Sequence, residues 1–342
     1  MITVGVIGCG KIAQVRHLPE YADREDVRIK YVFDLCRERA EEVAERYGAA
    51  AVESYQDMLK DSEVDAVSVC AANSVHCQIT IEALRAGKHV LCEKPMAVTL
   101  EECEKMVKEA EKAGKYLMIG HNQRLAKAHI WAKKLLEAGT IGKILTFRTS
   151  FGHGGPEAWA IDGKNVWFFD KKQAFFGAMA DLGVHKTDLI QFLTGQKVKA
   201  VTAWMGTLDK KDSLGEPISV DDNAICIYEL GEQITGVMTA SWTYYGKEDN
   251  STVLYGTEGV MHIYENPEYS IVIEKKDGER ICYSLDQIQT NTSQTKSGII
   301  DMWVDSLEKN TRPEISGEEA LFAMRAVFAA ARSAEEGRRI LI

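Results

Sequence analysis

Short apolar runs rich in β-branched residues alternate with longer amphipathic stretches through roughly the first third of the chain. Thr3–Ile7, Ile29–Phe33, Ala66–Cys70, His89–Cys92 and Tyr116–Ile119 predict strands. Between them, Gln14–Tyr21, Arg37–Tyr47, Val75–Ala86 and Leu100–Ala113 carry apolar positions at helical spacing. Strict alternation of this kind is the grammar of βαβ units, whose parallel strands are joined by crossover helices. Gly48, Gly87 and Gly114 each follow a helix where a left-handed residue closes the last turn. Glu101 and Glu102 follow Thr99 in a first turn, where acids suit the helix dipole.

From about Gly142 the pattern changes. Ile144–Phe151, Val198–Gly206, Ala224–Leu230 and Ile234–Thr243 read as strands of one large sheet, mostly antiparallel. Shorter strands are predicted at Val253–Gly256, Val260–Tyr264, Tyr269–Glu274 and Arg280–Ser284, and helices at Asp181–Leu193, Ile299–Lys309 and Gly317–Glu336. No repeat, low-complexity tract or Pro-rich linker marks a third region. The predicted fold class is α/β: a doubly wound parallel sheet over residues 1–122, then an α+β domain with a large open sheet over residues 123–342.

A length of 342 residues suits two domains, and 45% hydrophobic with 27% charged residues is ordinary for a globular protein. The formal net charge of -10 argues against nucleic acid, whose phosphates require clustered Lys and Arg. No apolar run approaches the roughly 18–20 residues of a spanning helix, so no membrane partner is expected. Met1 leads directly into an apolar strand without a basic region or cleavage site, which points to the cytoplasm. Eight cysteines are scattered singly, and those in apolar runs (Cys70, Cys92, Cys226) read as small hydrophobes. The expectation is a reduced protein without a metal site, because no Cys/His spacing fits one.

Gly8-Cys9-Gly10-Lys11-Ile12-Ala13 lies between the first predicted strand and the first helix. In the G-x-G-x-x-G/A fingerprint of Rossmann domains the first glycine makes a tight turn and the second admits a pyrophosphate. The small last residue lets helix pack on strand. Gly8, Gly10, Lys11 and Ile12 are therefore candidate cofactor-binding residues, with the helix N-terminus receiving the phosphates. Asp34 closes the second strand, where an acid accepts hydrogen bonds from the ribose 2′-OH and repels a 2′-phosphate. That favours NAD over NADP. Asp34 can also simply cap the next helix, and Arg37 is close enough in sequence to leave NADP possible.

Two further motifs carry little weight singly. Glu93-Lys94-Pro95 follows the fourth strand at the carboxyl edge, and Asp181 and His185 stand four apart at a helix start. Read together, and with Gly87-Lys88-His89-Val90, Asn122-Gln123-Arg124, Gly139-Thr140-Ile141-Gly142-Lys143, Gly256-Thr257-Glu258-Gly259 and Ser333-Ala334-Glu335-Glu336-Gly337, they give a family pattern. The chain resembles the glucose–fructose oxidoreductase / inositol dehydrogenase (Gfo/Idh/MocA) family over nearly its whole length. The resemblance implies hydride transfer between NAD(P) and a secondary alcohol of a sugar, polyol or glycoside. Lys94 would orient the hydroxyl and favour the alkoxide, and His185 would exchange its proton. Asp181 would bind a sugar hydroxyl and position His185. Glu93, Lys94, Asn73 and His76 would border the cofactor. The resemblance also implies a homodimer or homotetramer, and a terminal helix packing back on the first domain.

Departures from the pattern carry information too. Ala71-Ala72-Asn73-Ser74-Val75-His76 lacks the proline usual before the asparagine, so Asn73 and His76 can equally be a turn and a helix cap. Arg124 either contacts ligand or forms a structural salt bridge. Phe175 and Phe176 replace glycines usual before Asp181, and Phe or Trp fill 7 of the 26 positions from Phe151 to Phe176, Trp167 among them. Such rings either stack on sugars or pack a core. The leading expectation is a sugar or polyol dehydrogenase. A glycoside-cleaving enzyme using NAD for transient oxidation, and a cofactor-sensing protein on the same fold, are the alternatives; the second has no need of Lys94, Asp181 and His185.

Overall fold

The alternating first third folds into a six-stranded parallel sheet in the computed structural model, which describes residues 1–161, 167–288 and 296–342. The strands are β1 (Ile2–Ile7), β2 (Val27–Phe33), β3 (Ala50–Ala51), β4 (Ala66–Val69), β5 (His89–Cys92) and β6 (Leu117–Ile119), in the order β3-β2-β1-β4-β5-β6. This is the dinucleotide-binding order, and it reverses between β1 and β4, where a crevice opens at the carboxyl ends. Helices α1 (Leu18–Ala22), α2 (Arg37–Tyr47), α3 (Tyr55–Lys60), α4 (His76–Arg85) and α5 (Leu100–Ala113) connect the strands. Val4, Val6, Val67, Val69, Val90 and Leu91 are shut off from solvent, as strands covered on both faces require.

Most predicted elements form within a residue or two. Gly48, Gly87 and Gly114 take the left-handed backbone expected of them, and the Thr99 hydroxyl accepts the Glu102 N–H at 3.1 Å. The predicted Gln14–Tyr21 helix differs: a π-helical turn over Ala13–His17 precedes α1. A continuous α-helix would hold Pro19 in its interior, with no N–H to give. The switch puts Pro19 in the first turn of α1, where none is needed. The pattern misses β3 and α3, which like Lys171–Ala174 and Ile340–Leu341 are too short to show a period, and it also misses the longer helix Lys127–Glu137.

Contact density divides the chain into two units, the first also taking the described residues 296–321. A continuous second domain over 123–342 is therefore corrected. The segment that returns holds α9 (Ile299–Glu308), which packs against β1 and α1 with Trp303 fully buried. Its Asp301 and Asp305 pair with Arg24 at 3.2 and 3.1 Å. From Phe322 onward the terminal helix, α10 (Gly317–Glu336), belongs to the second unit.

In the second unit the strands are β7 (Ile144–Gly152), β8 (Val198–Gly206), β9 (Asn223–Leu230), β10 (Thr235–Ser241), β11 (Thr252–Gly256), β12 (Gly259–Ile263), β13 (Ile271–Lys275), β14 (Arg280–Tyr283) and β15 (Ile340–Leu341). Among the described residues they form one nine-stranded sheet, ordered β14-β13-β12-β11-β7-β10-β9-β8-β15, in which only β7 and β10 run parallel. The helices are α6 (Lys127–Glu137), α7 (Lys171–Ala174) and α8 (Val184–Thr194). α8 packs on β7 and α6 on β12, while Trp204, Ile225, Ile227 and Val237 stay exposed on β8, β9 and β10. No helix among the described residues is long and apolar enough to cross a membrane.

Candidate functional site

Gly8 takes φ +95°, and a Cβ there would sit 2.6 Å from the Cys70 carbonyl oxygen, so this turn excludes any larger residue. A Cβ on Gly10 would meet nothing within 4 Å. The backbone there faces open space, as a pyrophosphate cradle demands. Half-buried Lys11 and Ile12 begin the helical turn. Asp34, just past β2, accepts the Cys9 N–H on Oδ2 and the Cys36 N–H on Oδ1, each at 2.8 Å. A carboxylate offers about four lone-pair positions, so acceptor capacity remains for a ribose hydroxyl. The nearby cation is not Arg37, which pairs with Glu41 and Glu53 at 2.6 and 2.8 Å. It is Arg39, 3.5 Å from Asp34. Two residues apart on α2 means nearly opposite faces, which sequence proximity conceals.

Half-buried Lys94 leaves the end of β5 at the same edge. Glu93 is buried beside it. Its Oε1 pairs with His17 Nε2 at 2.9 Å, and its Oε2 accepts the Lys94 N–H at 3.2 Å. Burial raises the Glu93 pKa, but the hydrogen bond and charge of His17, with Arg16 and Lys94, outweigh it and hold the group at about 2. His17 Nδ1 faces Ser68 Oγ at 3.2 Å, and Ser68 meets the Tyr21 hydroxyl at 2.8 Å. Glu93 thus anchors the Lys94 loop to a buried polar chain. His76 also has protein partners: its ring nitrogens face the carbonyls of Pro95 and Ala71 at 2.9 and 3.0 Å. It pins two loops together, and burial lowers its pKa despite those carbonyls. Asn73 is buried in a tight turn, Asn73–Val75, leading into α4.

In the second unit, Asp181 lies in a π-helical turn over Met179–Gly183, and His185 follows on the first turn of α8. Such turns are rare and often occur at functional sites. The pair is not a surface pair: both residues are 7% exposed. Trp242 Nε1 donates to Asp181 Oδ2 at 3.1 Å, and the Phe151 ring lies 6.1 Å from that of His185. The start of this turn is held by Asp221, whose carboxylate oxygens accept the Gly177 and Met179 N–H groups, each at 2.8 Å. Burial raises the Asp221 pKa to about 6 against those bonds. A Cβ on Gly177 would lie 1.9 Å from the Asp221 carbonyl oxygen, so here the glycine of the pattern is indispensable.

α8 is buried all round, so each polar residue on it needs a partner. Thr187 meets the Gly183 carbonyl and the Tyr228 hydroxyl at 2.7 and 2.8 Å. Lys186 Nζ donates to the Asn250 carbonyl at 3.0 Å; burial lowers its pKa to about 7, against Asp249 and Glu248. Asp188 takes both forks of Arg124, at 2.6 and 2.7 Å. Of the two readings open for Arg124, this bidentate pair supplies the structural one, and a contact with substrate stays a proposal.

The aromatic segment separates into three groups. Phe175 keeps a glycine-like φ of 70°, and Phe175 and Phe176 pack their rings against Phe328. Phe151 lies by His185. Trp167 stacks on Phe168 at 4.0 Å, Trp159 meets Phe168 edge-on at 5.4 Å, and Phe168 lies 6.5 Å from Trp242. Trp242, Arg39, His17, Asp188 and Asp221 carried no sequence motif.

Comparison with known proteins identifies the family. Residues 2–121 match the model of the oxidoreductase family with the NAD-binding Rossmann fold, and residues 129–262 that of the GFO/IDH/MocA C-terminal domain. The chain is 25% identical over 342 residues to myo-inositol 2-dehydrogenase of Thermotoga maritima, covering 98% of this chain and 97% of that protein. It is 28% identical over 316 residues to levoglucosan dehydrogenase of Pseudarthrobacter phenanthrenivorans, covering 84% of this chain and 77% of that one. The crystal structure of aldose-aldose oxidoreductase from Caulobacter crescentus, complexed with glycerol, superposes with a TM-score of 0.84 at 25% identity, covering 100% and 99% of the two chains.

Proposed function

The chain belongs to the Gfo/Idh/MocA oxidoreductase family, and from that premise we propose that it is an NAD-dependent dehydrogenase of a secondary alcohol on a sugar, polyol or glycoside. The observation that carries the reading is the buried Asp181–His185 pair, fixed by Trp242 and the Asp221 cap, in a chain whose dinucleotide-type sheet also presents Lys94. Gly8, the open ground at Gly10 and Asp34 fit the diphosphate and ribose of NAD. The nicotinamide, when bound, supplies a two-electron acceptor. The substrate carbon gives up hydride, its hydroxyl gives up a proton to His185, and a carbonyl results. The Lys94 ammonium donates to the same oxygen and favours its alkoxide form. Asp181 accepts a substrate hydroxyl and orients His185.

Incubation with NAD and a panel of inositols, anhydrosugars and glycosides tests this, read as absorbance of NADH. Stoichiometric NADH is the expected result. Cleavage of a glycoside with no net NADH would replace the reading by redox-neutral elimination.

NAD is expected to bind more tightly than NADP. Asp34→Ala narrows that preference by on the order of ten-fold, mostly through tighter NADPH binding, since Arg39 then faces a 2′-phosphate without the acid between them. Dissociation constants from nucleotide fluorescence measure it, and a wild type that prefers NADPH would overturn the role given to Asp34.

The protein pairs with a second copy through the open sheet face. Trp204 stands opposite Ile225 and Ile227 opposite Val237, and these four side chains are 39–49% exposed. Contiguous apolar surface of this kind marks an interface. Sedimentation is expected to give a dimer or tetramer, and Ile227→Lys to shift it toward monomer. A monomeric wild type at micromolar concentration removes the claim.

A further inference from the structure

Resting on the dehydrogenase reading, we infer that Trp159, Trp167 and Phe168 form a subsite for a second ring joined to the oxidised sugar, which makes the substrate a glycoside. The rings are continuous with the acid–base pair. Trp242 donates to Asp181, Phe168 stands edge-on to Trp242 with 6.5 Å between centroids, and Trp159 and Trp167 flank Phe168. The core reading of this aromatic segment accounts for only some of its members. Phe169 and Trp242 are buried, and Phe175 and Phe176 close on Phe328. Trp159, Trp167 and Phe168 stay half-buried, with ring surface left over.

Trp159 adds a polar observation. Its Nε1 is shut off from solvent and has no acceptor among the described residues. A buried indole N–H is costly to leave unmatched, so a shift of the half-buried Trp159 ring that brings it to a ligand oxygen relieves that cost. A platform with one donor, one ring beyond the Trp242–Asp181 bond, matches a flat aglycone or the C–H face of a pyranose attached through a glycosidic oxygen. A free monosaccharide held at Asp181 and His185 leaves it unused.

Calorimetric titration of the protein saturated with NADH, in which no alcohol is oxidised, separates the possibilities. The probes are methyl β-D-glucoside, phenyl β-D-glucoside and cellobiose. Binding of phenyl glucoside or cellobiose at least roughly ten-fold tighter than the methyl glycoside is expected. The first identifies an aromatic aglycone, the second another sugar. Trp167→Ala and Trp159→Ala should erase the advantage while leaving the methyl glycoside within about two-fold, and Trp167→Phe should retain it. Equal affinity for all three probes, no binding of any, or alanine variants that weaken all probes alike overturns the subsite. NADH formation without ring preference sinks the subsite and spares the dehydrogenase. Ring preference without NADH formation from any alcohol does the reverse.

Discussion

His185→Ala is expected to lower turnover by roughly 10²–10⁴-fold, the range for loss of a positioned general acid–base group. Lys94→Ala is expected to lose on the order of 10²–10³-fold, as when a donor to a developing oxyanion is removed. NADH affinity should stay near wild type in His185→Ala, because the fingerprint glycines and Asp34 are untouched. If both groups act on one oxygen, as proposed, the double variant loses much less than the product of the two. Asp181→Asn has a different signature. Its remaining oxygen can still accept from Trp242, leaving an amide N–H₂ where a substrate hydroxyl needs an acceptor, so KM should rise together with a fall in kcat. Steady-state kinetics on the alcohol that yields NADH, with nucleotide titrations alongside, measure all of these. Single variants of Lys94 and His185 that keep rates within a few-fold of wild type would place the chemistry elsewhere.

The sequence made the supports of the candidate site far less legible than its proposed reactive groups. Lys94, Asp181 and His185 belong to short motifs at strand and helix ends, and the strand pattern alone placed Gly8, Asp34 and Lys94 at one sheet edge. What fixes those groups comes from distant positions whose relation only the folded chain reveals. Trp242 reaches Asp181 across 61 residues, and His17 reaches Glu93 across 76. Glu93 and His76 show why such residues are hard to read: a polar residue beside a ligand loop looks the same in sequence whether it faces the ligand or holds the loop. One signal was available. His185-Lys186-Thr187-Asp188 puts four consecutive polar residues in a helix otherwise apolar from Leu182 to Leu193, apart from Gln191, and a buried helix can carry these only if each has a partner. The Phe175–Phe176 departure was readable as a change but not in its consequence. The backbone keeps the conformation a glycine would adopt, at a strain of roughly 1–3 kcal/mol, which the contacts with Phe328 offset.

Arg124→Ala is expected to destabilise the second unit by about 3–5 kcal/mol, a large share of the roughly 5–15 kcal/mol typical of a domain. The side chains of Arg124 and Asp188 are 6% and 2% exposed and joined by two parallel hydrogen bonds, with the guanidinium also 5.5 Å from the Phe192 ring. Truncation leaves the Asp188 carboxylate buried without that fork, three residues beyond His185 on α8, and that desolvated charge sets the size of the loss. Arg124→Lys should recover only part of it, because an ammonium cannot make two parallel bonds to one carboxylate. Replacing both partners, as in Arg124→Met with Asp188→Leu, removes the two buried charges together and should cost much less than Arg124→Ala. Urea midpoints at constant m-value measure each step. The double variant also separates the two roles considered for Arg124: it should retain KM for the substrate if the arginine only holds α8, and raise KM sharply if it touches the sugar. An Arg124→Ala protein that unfolds within about 0.5 kcal/mol of wild type would show that the ion pair is not what holds the helix carrying His185.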